Sequence, residues 1–200
     1  MASQATRQKA QFIGGGAPPG GFCLSSFVVV SRGNDVLVGK MKMPEVWVER
    51  FFVGQEFAPK YLSSGKYLMP ASHLSWYESP LDAASRIMSE QLLLDYPKDK
   101  LKLLDVQSHL RGDIGDEHNP PHWDLCFVYG AQLTPRQSRN LATPDWFEDY
   151  RFKKRSELTT DDFTRGHGDV LEEAGVIGEK SRQKNRRRVA RKTRDRRGTR

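Results

Sequence analysis

Residues 69–94 read Met69-Pro70-Ala71-Ser72-His73-Leu74-Ser75-Trp76-Tyr77-Glu78-Ser79-Pro80-Leu81-Asp82-Ala83-Ala84-Ser85-Arg86-Ile87-Met88-Ser89-Glu90-Gln91-Leu92-Leu93-Leu94. Ser79 is a good N-cap. Pro80 suits the first helical position, where its missing N–H would have no partner anyway, and Asp82 stands where a capping acid meets the open amides. Leu81, Ala84, Met88 and Leu92 recur at helical spacing, with neither Gly nor Pro before Pro97. The stretch predicts a loop feeding an amphipathic helix.

Upstream, residues 24–31 and 35–41 are rich in β-formers and are separated by Arg32-Gly33-Asn34, which predicts a hairpin. Residues 46–53 read as a further strand or extended arm. Ser63-Ser64-Gly65 marks a turn, and residues 67–70 form a short extended piece before the loop. Downstream, residues 101–110 and 123–133 read as strands around a polar loop. In the second, Trp123, Leu125, Phe127, Tyr129 and Ala131 alternate onto one face. Residues 150–158 predict a late strand and 161–174 a closing helix, with Gly166 and Gly168 weakening its start. No internal repeat is present. This order of elements predicts an α+β fold or an α/β sandwich.

Two hundred residues, 37% hydrophobic and 10% aromatic, suffice for one cored domain with tails. No apolar run approaches the ~20 residues of a membrane-spanning helix, so no membrane partner is expected. Cys23 and Cys126 lie far apart, which excludes a disulfide framework or a cysteine zinc site. A cytoplasmic setting is the default expectation, or a nuclear one in a eukaryotic host.

Charge divides the chain unevenly. The net formal charge is +7, yet residues 181–200 hold eleven Lys or Arg against the single acid Asp195, a segment charge of +10. Residues 1–180 carry 21 bases and 24 acids, or −3. The domain reading is thus a Gly/Pro-rich leader at 1–21, a folded body at 22–180 and a disordered basic tail at 181–200. In the leader, Gly14-Gly15-Gly16 follows nothing strand-like, so it is not a phosphate-binding loop. In the tail, Arg182, Lys184, Arg186, Arg187, Arg188, Arg191, Lys192, Arg194, Arg196 and Arg197 suit a phosphate backbone, and RNA or a ribonucleoprotein is the expected partner. No aromatic residue interleaves them, so the tail itself offers no stacking of bases.

The loop and helix at 69–94 resemble the Nudix box: Gly, five residues, Glu, seven residues, then Arg-Glu-apolar-x-Glu-Glu-x-Gly-apolar. Glu78 falls on the first Glu, Arg86 on the Arg, Met88 on the apolar position, Glu90 on the middle Glu and Leu94 on the last apolar position. The resemblance implies an α/β/α sandwich with a mixed sheet over roughly residues 22–178. It also implies hydrolysis of nucleoside diphosphate-linked compounds, using divalent cations held by helix glutamates. Four positions depart from the pattern: Ser72 replaces the opening Gly, Ile87 and Gln91 replace two glutamates, and Leu93 replaces the closing Gly.

Those departures bear on chemistry. Positions 87, 90, 91 and 94 share one face of a regular helix, where three glutamates would converge on hard cations. Here the face reads Ile87, Glu90, Gln91 and Leu94, with one negative charge. Glu90 is the one candidate for catalysis and metal binding, or else a structural partner of Arg86. The resemblance gives Glu78 and Arg86 the role of clamping loop to helix. His73, Trp76 and Gln91 are candidate ligand contacts. Trp76 and Tyr77 either stack on a ring at the pocket mouth or anchor the loop.

Elsewhere, Asp113, Asp116, Glu117, His118 and His122 form a polar loop whose Pro120 and Pro121 forbid a helical metal pair. His167 stands where a late-loop base could sit, and Cys126 reads as an inert core thiol. The expected function is a binding module for a nucleotide-like ligand or RNA, with no cofactor. The alternative is an active Mg²⁺- or Mn²⁺-dependent hydrolase using Glu90 with the 113–117 acids or with Asp161, Asp162, Glu172 and Glu173.

Overall fold

In the computed structural model the described residues are 11–12, 21–51, 53, 55, 57–112, 121–139 and 141–178. The run from Phe27 to Val30 is buried throughout, which requires cover on both faces of its strand. That strand is β2 (Phe22–Arg32), the axis of a seven-stranded mixed sheet; it pairs with the short β1 (Gln11–Phe12), which corrects the expectation that nothing strand-like stands in the 1–21 leader. β2 turns at Gly33, whose φ of 58° is a left-handed conformation suited to glycine, into β3 (Asp35–Met41). Its first half pairs with β4 (Ala71–His73), and along its length it runs parallel to β6 (His122–Gln132). β5 (Lys102–Arg111) lies outside β6 at one edge, and β7 (Phe147–Lys154) outside β3 at the other.

Alternation along these strands creates two cores. Val28 and Val30 of β2, Leu37 and Met41 of β3, and Tyr129 and Ala131 of β6 pack on one face with Ala84, Ile87, Met88 and Leu92 of the box helix. Phe27, Val29, Val36, Val38, Cys126 and Val128 pack on the other face with Val170 and Leu171 of the closing helix, α5 (His167–Glu173). The chain is therefore an α/β/α sandwich with a mixed sheet. The expected alternation on β6 puts Tyr129 and Ala131 in the first core, and Cys126 and Val128 between them fill the second.

Three further elements differ from expectation. Residues 46–53 form no strand, since α1 (Pro44–Glu49) begins at a proline and turns Trp47 inward. There Trp47 meets Phe51 and Phe147 at ring distances of 5.0 and 5.1 Å, and its Nε1 donates to the Trp146 carbonyl at 3.1 Å. This cluster overrides the β-propensity of Val46-Trp47-Val48. α2 (Ala58–Ser63) follows, and α4 (Pro135–Arg139) links β6 to β7. β7 starts three residues early and gives way to a 3₁₀ turn at Arg155–Glu157. The closing helix is also shorter than expected: a capped 3₁₀ turn, Thr160–Asp162, comes first, and Gly166 at φ 66° starts α5. Gly168 permits this packing, since a Cβ there would lie 2.4 Å from the Thr160 carbonyl oxygen.

α5 also steadies the approach to the box. His167 is buried, stands edge-on to Phe27 at 5.2 Å, and accepts a hydrogen bond at Nδ1 from the Met69 amide at 2.9 Å. Burial, with Arg165 and Arg111 nearby, pushes its pKa well below the ordinary imidazole value, so the ring is neutral. Above about pH 6.5 folded and unfolded chains both hold it uncharged. Below that, only the unfolded chain gains the proton, so stability falls as the pH drops, by up to about 1.4 kcal/mol per pH unit, until the folded ring titrates. Urea unfolding from pH 7.5 to 5 will show this slope. His167→Gln, which keeps an acceptor for Met69, will flatten it.

Candidate functional site

The box helix begins as expected. The Ser79 hydroxyl oxygen accepts from the Asp82 amide at 3.1 Å and opens α3 (Pro80–Arg86). The regular helix then ends. Residues Ile87–Gln91 form a π turn, closed by Leu92 N–H donating to the Ile87 carbonyl at 3.2 Å. Leu93 reverses the chain at φ 52°, a left-handed conformation that costs a side-chain-bearing residue about 1 kcal/mol or more. The family pattern has Gly at this position.

The π turn corrects the expectation of an open, ion-facing stripe. Ile87 is 0% exposed and belongs to the core with Met88 and Leu92. Gln91 is 1% exposed, and its Nε2 donates to the Ala71 carbonyl at 2.7 Å, tying the helix to β4. Its backbone carbonyl accepts from Trp146 Nε1 at 2.9 Å. Gln91 Oε1 is buried and finds no hydrogen-bond donor among the described residues. Glu90 is half-buried at the margin. A divalent cation here would meet one carboxylate and one neutral amide oxygen, which is not the anionic oxygen shell that Mg²⁺ or Mn²⁺ takes. Among the described residues, no three His, Cys, Asp or Glu gather in a group that could hold a metal.

The loop ahead of the helix is held by charge. Arg86 Nε donates to Glu78 Oε1 and Arg86 Nη2 to Glu78 Oε2, both at 2.7 Å, in a two-pronged ion pair whose side chains are only 12% and 13% exposed. The same guanidinium donates to the His73 carbonyl at 3.0 Å and the Ser72 hydroxyl at 3.2 Å. Glu78 Oε2 accepts from the Ser75 amide at 2.8 Å. Glu78 and Arg86 thus join β4, loop and helix into one unit. Tyr77 is fully exposed and anchors nothing, and Trp76 beside it is 60% exposed.

On the α5 face, Ser25 donates to Asp124 Oδ1 at 2.7 Å, and its oxygen lies 3.0 Å from His73 Nδ1. A serine has one hydroxyl proton, and here it goes to the carboxylate. His73 therefore donates from Nδ1. Sequence reasoning missed this row. The signal available was the register of three β-strands, which no spacing within one segment reveals.

The other candidates are dispersed. His167 is the buried core residue already described, so it is not a late-loop base. Glu173 lies 3.7 Å from His109, and Asp162 caps its own turn by accepting from the Thr159 amide at 2.7 Å. The Cys126 thiol is buried and its pKa is pushed up by desolvation, which makes it inert. Asp113, Asp116, Glu117 and His118, together with the basic tail from Arg182 to Arg197, lie outside the described residues.

Two substitutions test the site's architecture. Arg86→Lys keeps the charge but loses the fork, and urea unfolding will show a loss of about 2–4 kcal/mol. Ile87→Glu places a carboxylate in an apolar interior and will cost more than about 3 kcal/mol by the same measurement.

No protein-family model matches the chain, and no curated protein matches its sequence. Solved structures do resemble it. A MutT Nudix hydrolase from Burkholderia pseudomallei is 17% identical with a TM-score of 0.50, over 76% of this chain and 97% of that one. An Ap4A hydrolase from C. elegans is 12% identical with a TM-score of 0.47, over 75% and 93%. The dihydroneopterin triphosphate pyrophosphohydrolase of E. coli is 11% identical with a TM-score of 0.47, over 72% and 88%. Identities this low speak to the path of the backbone rather than to substrate. With the two-faced mixed sheet, the loop and helix at 69–94 and the Glu78–Arg86 clamp, the Burkholderia likeness shows that this chain has the Nudix fold.

Proposed function

We propose that the chain is a Nudix-fold binding module that recognises RNA or a nucleotide-like ligand without hydrolysing it, and that residues 181–200 anchor it to RNA or a ribonucleoprotein. One observation carries the first half. Position 87 of the box helix is sealed in the hydrophobic core by an aliphatic side chain, and position 91 is bound through its amide N–H to β4. The helix has exchanged ion-binding groups for groups that stabilise its own packing. Glu90 alone cannot neutralise a leaving phosphate and activate water through paired metals. The second half rests on the +10 tail attached to a −3 body, a distribution that suits a phosphate backbone and gives salt-dependent, largely sequence-blind affinity.

Incubation with Mg²⁺ or Mn²⁺ and a panel of nucleoside diphosphate derivatives, dinucleoside polyphosphates and capped RNA will yield no turnover. Turnover abolished by Glu90→Gln would sink the binding-module reading in favour of a hydrolase with a remodelled site. For the tail, a full-length chain with its 181–200 Lys and Arg residues changed to Gln will bind RNA more weakly. Its log–log salt slope will be several units shallower, at about 0.7 per lost single-strand phosphate contact. An unchanged slope would remove the tail as the anchor.

A further inference from the structure

The loop between β4 and α3 ends in a tight turn. The Glu78 amide donates to the Ser75 carbonyl at 3.1 Å, and the Ser75 amide donates back to Glu78 Oε2 at 2.8 Å. Because Arg86 grips that same carboxylate, the turn is tied to the helix. At its apex stand Trp76 and Tyr77, their ring centroids 6.3 Å apart and their planes 46° from parallel.

Two features make this apex unusual. Trp76 is 60% exposed and Tyr77 fully so, the two largest aromatic exposures among the described residues. Tyr77 also holds φ at 59°, where its Cβ crowds the backbone and where Gly or Asn is the common occupant. Exposed apolar area and backbone strain both oppose folding. The described fold offers Tyr77 little packing in return, since the ring nearest to it is Trp76, itself 60% exposed. A turn that spends stability to hold two rings in water is built for a partner.

The chemistry of the chain selects the partner. The tail brings a dense positive charge but no aromatic residue, so it can grip phosphates and cannot stack on bases. The body is mildly acidic and carries the rings. Flat faces of this kind stack on unpaired bases and have no access to bases inside a duplex. The residues beside the rings in sequence, Ser75, Glu78 and Ser79, are polar, so along the loop the exposed apolar surface is the two rings alone, too little for a stable protein–protein interface.

We propose that Trp76 and Tyr77 form a stacking platform for the bases of single-stranded RNA, working together with the phosphate-binding tail. This inference rests on the RNA-binding reading above. It assigns base contact to the body and backbone contact to residues 181–200.

Tyr77→Gly supplies a test in which folding cannot be the explanation. Glycine relieves the left-handed strain, so the variant's unfolding midpoint will rise. Its affinity for a fluorescein-labelled single-stranded RNA 12-mer will fall about tenfold, as will that of Trp76→Ala. The salt slope will stay unchanged in both, because the tail is intact, and affinity for duplex RNA of equal length will not move. Unchanged single-strand affinity in both variants would overturn the platform, as would an equal loss on duplex. A wild-type chain that binds neither RNA would overturn both this inference and the reading beneath it. A wild-type chain that binds RNA while the variants match it would overturn the platform alone, leaving the loop to some other partner.

Discussion

Arg86 spends almost all of its surface inside the protein, and a guanidinium taken out of water must find acceptors for its N–H groups. Here they are the two oxygens of Glu78, the Ser72 hydroxyl and the His73 carbonyl. Those partners come from β4 and the loop, while Arg86 itself ends α3, so one guanidinium joins three segments. Removing either charge would strand the other in a low-dielectric environment, so the pair enforces its own geometry. β4 is thereby held in register against β2, and the turn at 75–78 acquires a fixed shape.

Held in this way, the loop takes its shape from one ion pair. The clamp is made by Glu78 and Arg86, without the side chains of positions 87 and 91. Once the backbone path is secured by an ion pair, the inner face of the helix can take up other work. Ile87 adds aliphatic bulk to the core, and Gln91 gives an amide N–H to a strand carbonyl. Neither side chain brings charge to a place where burial makes charge costly. In the π turn, with its extra residue per turn, Ile87, Met88, Gln91 and Leu92 all lie inward. Strain at Leu93 and Tyr77 accompanies this arrangement: both lie in the left-handed region, at the end of the box helix and at the apex of its loop.

Much of this was legible from residue order. The hairpin followed from a turn sequence between two β-rich runs, and β5 and β6 from apolar runs bounded by polar loops. The helix start followed from Ser79, Pro80 and Asp82, each acting on neighbours within one turn. What these share is locality. The misreadings were all places where a distant contact prevailed. Val46, Trp47 and Val48 favour a strand intrinsically, yet the Trp47 ring is worth more packed against Phe51 and Phe147. The closing helix broke in two because Gly168 must let the Thr160 carbonyl approach.

The sequence alone therefore determined the kind of layers, the position of the box and the partition of charge between body and tail, because periodicity, capping and composition act over a few residues at a time. Only the tertiary structure decided that positions 87 and 91 turn inward, that Ser25, His73 and Asp124 meet across three strands, that His167 is buried and neutral, and that Trp76 and Tyr77 stand in water. Each of those outcomes depends on which groups from remote segments compete for the same interior space, and that competition exists only once the chain has folded.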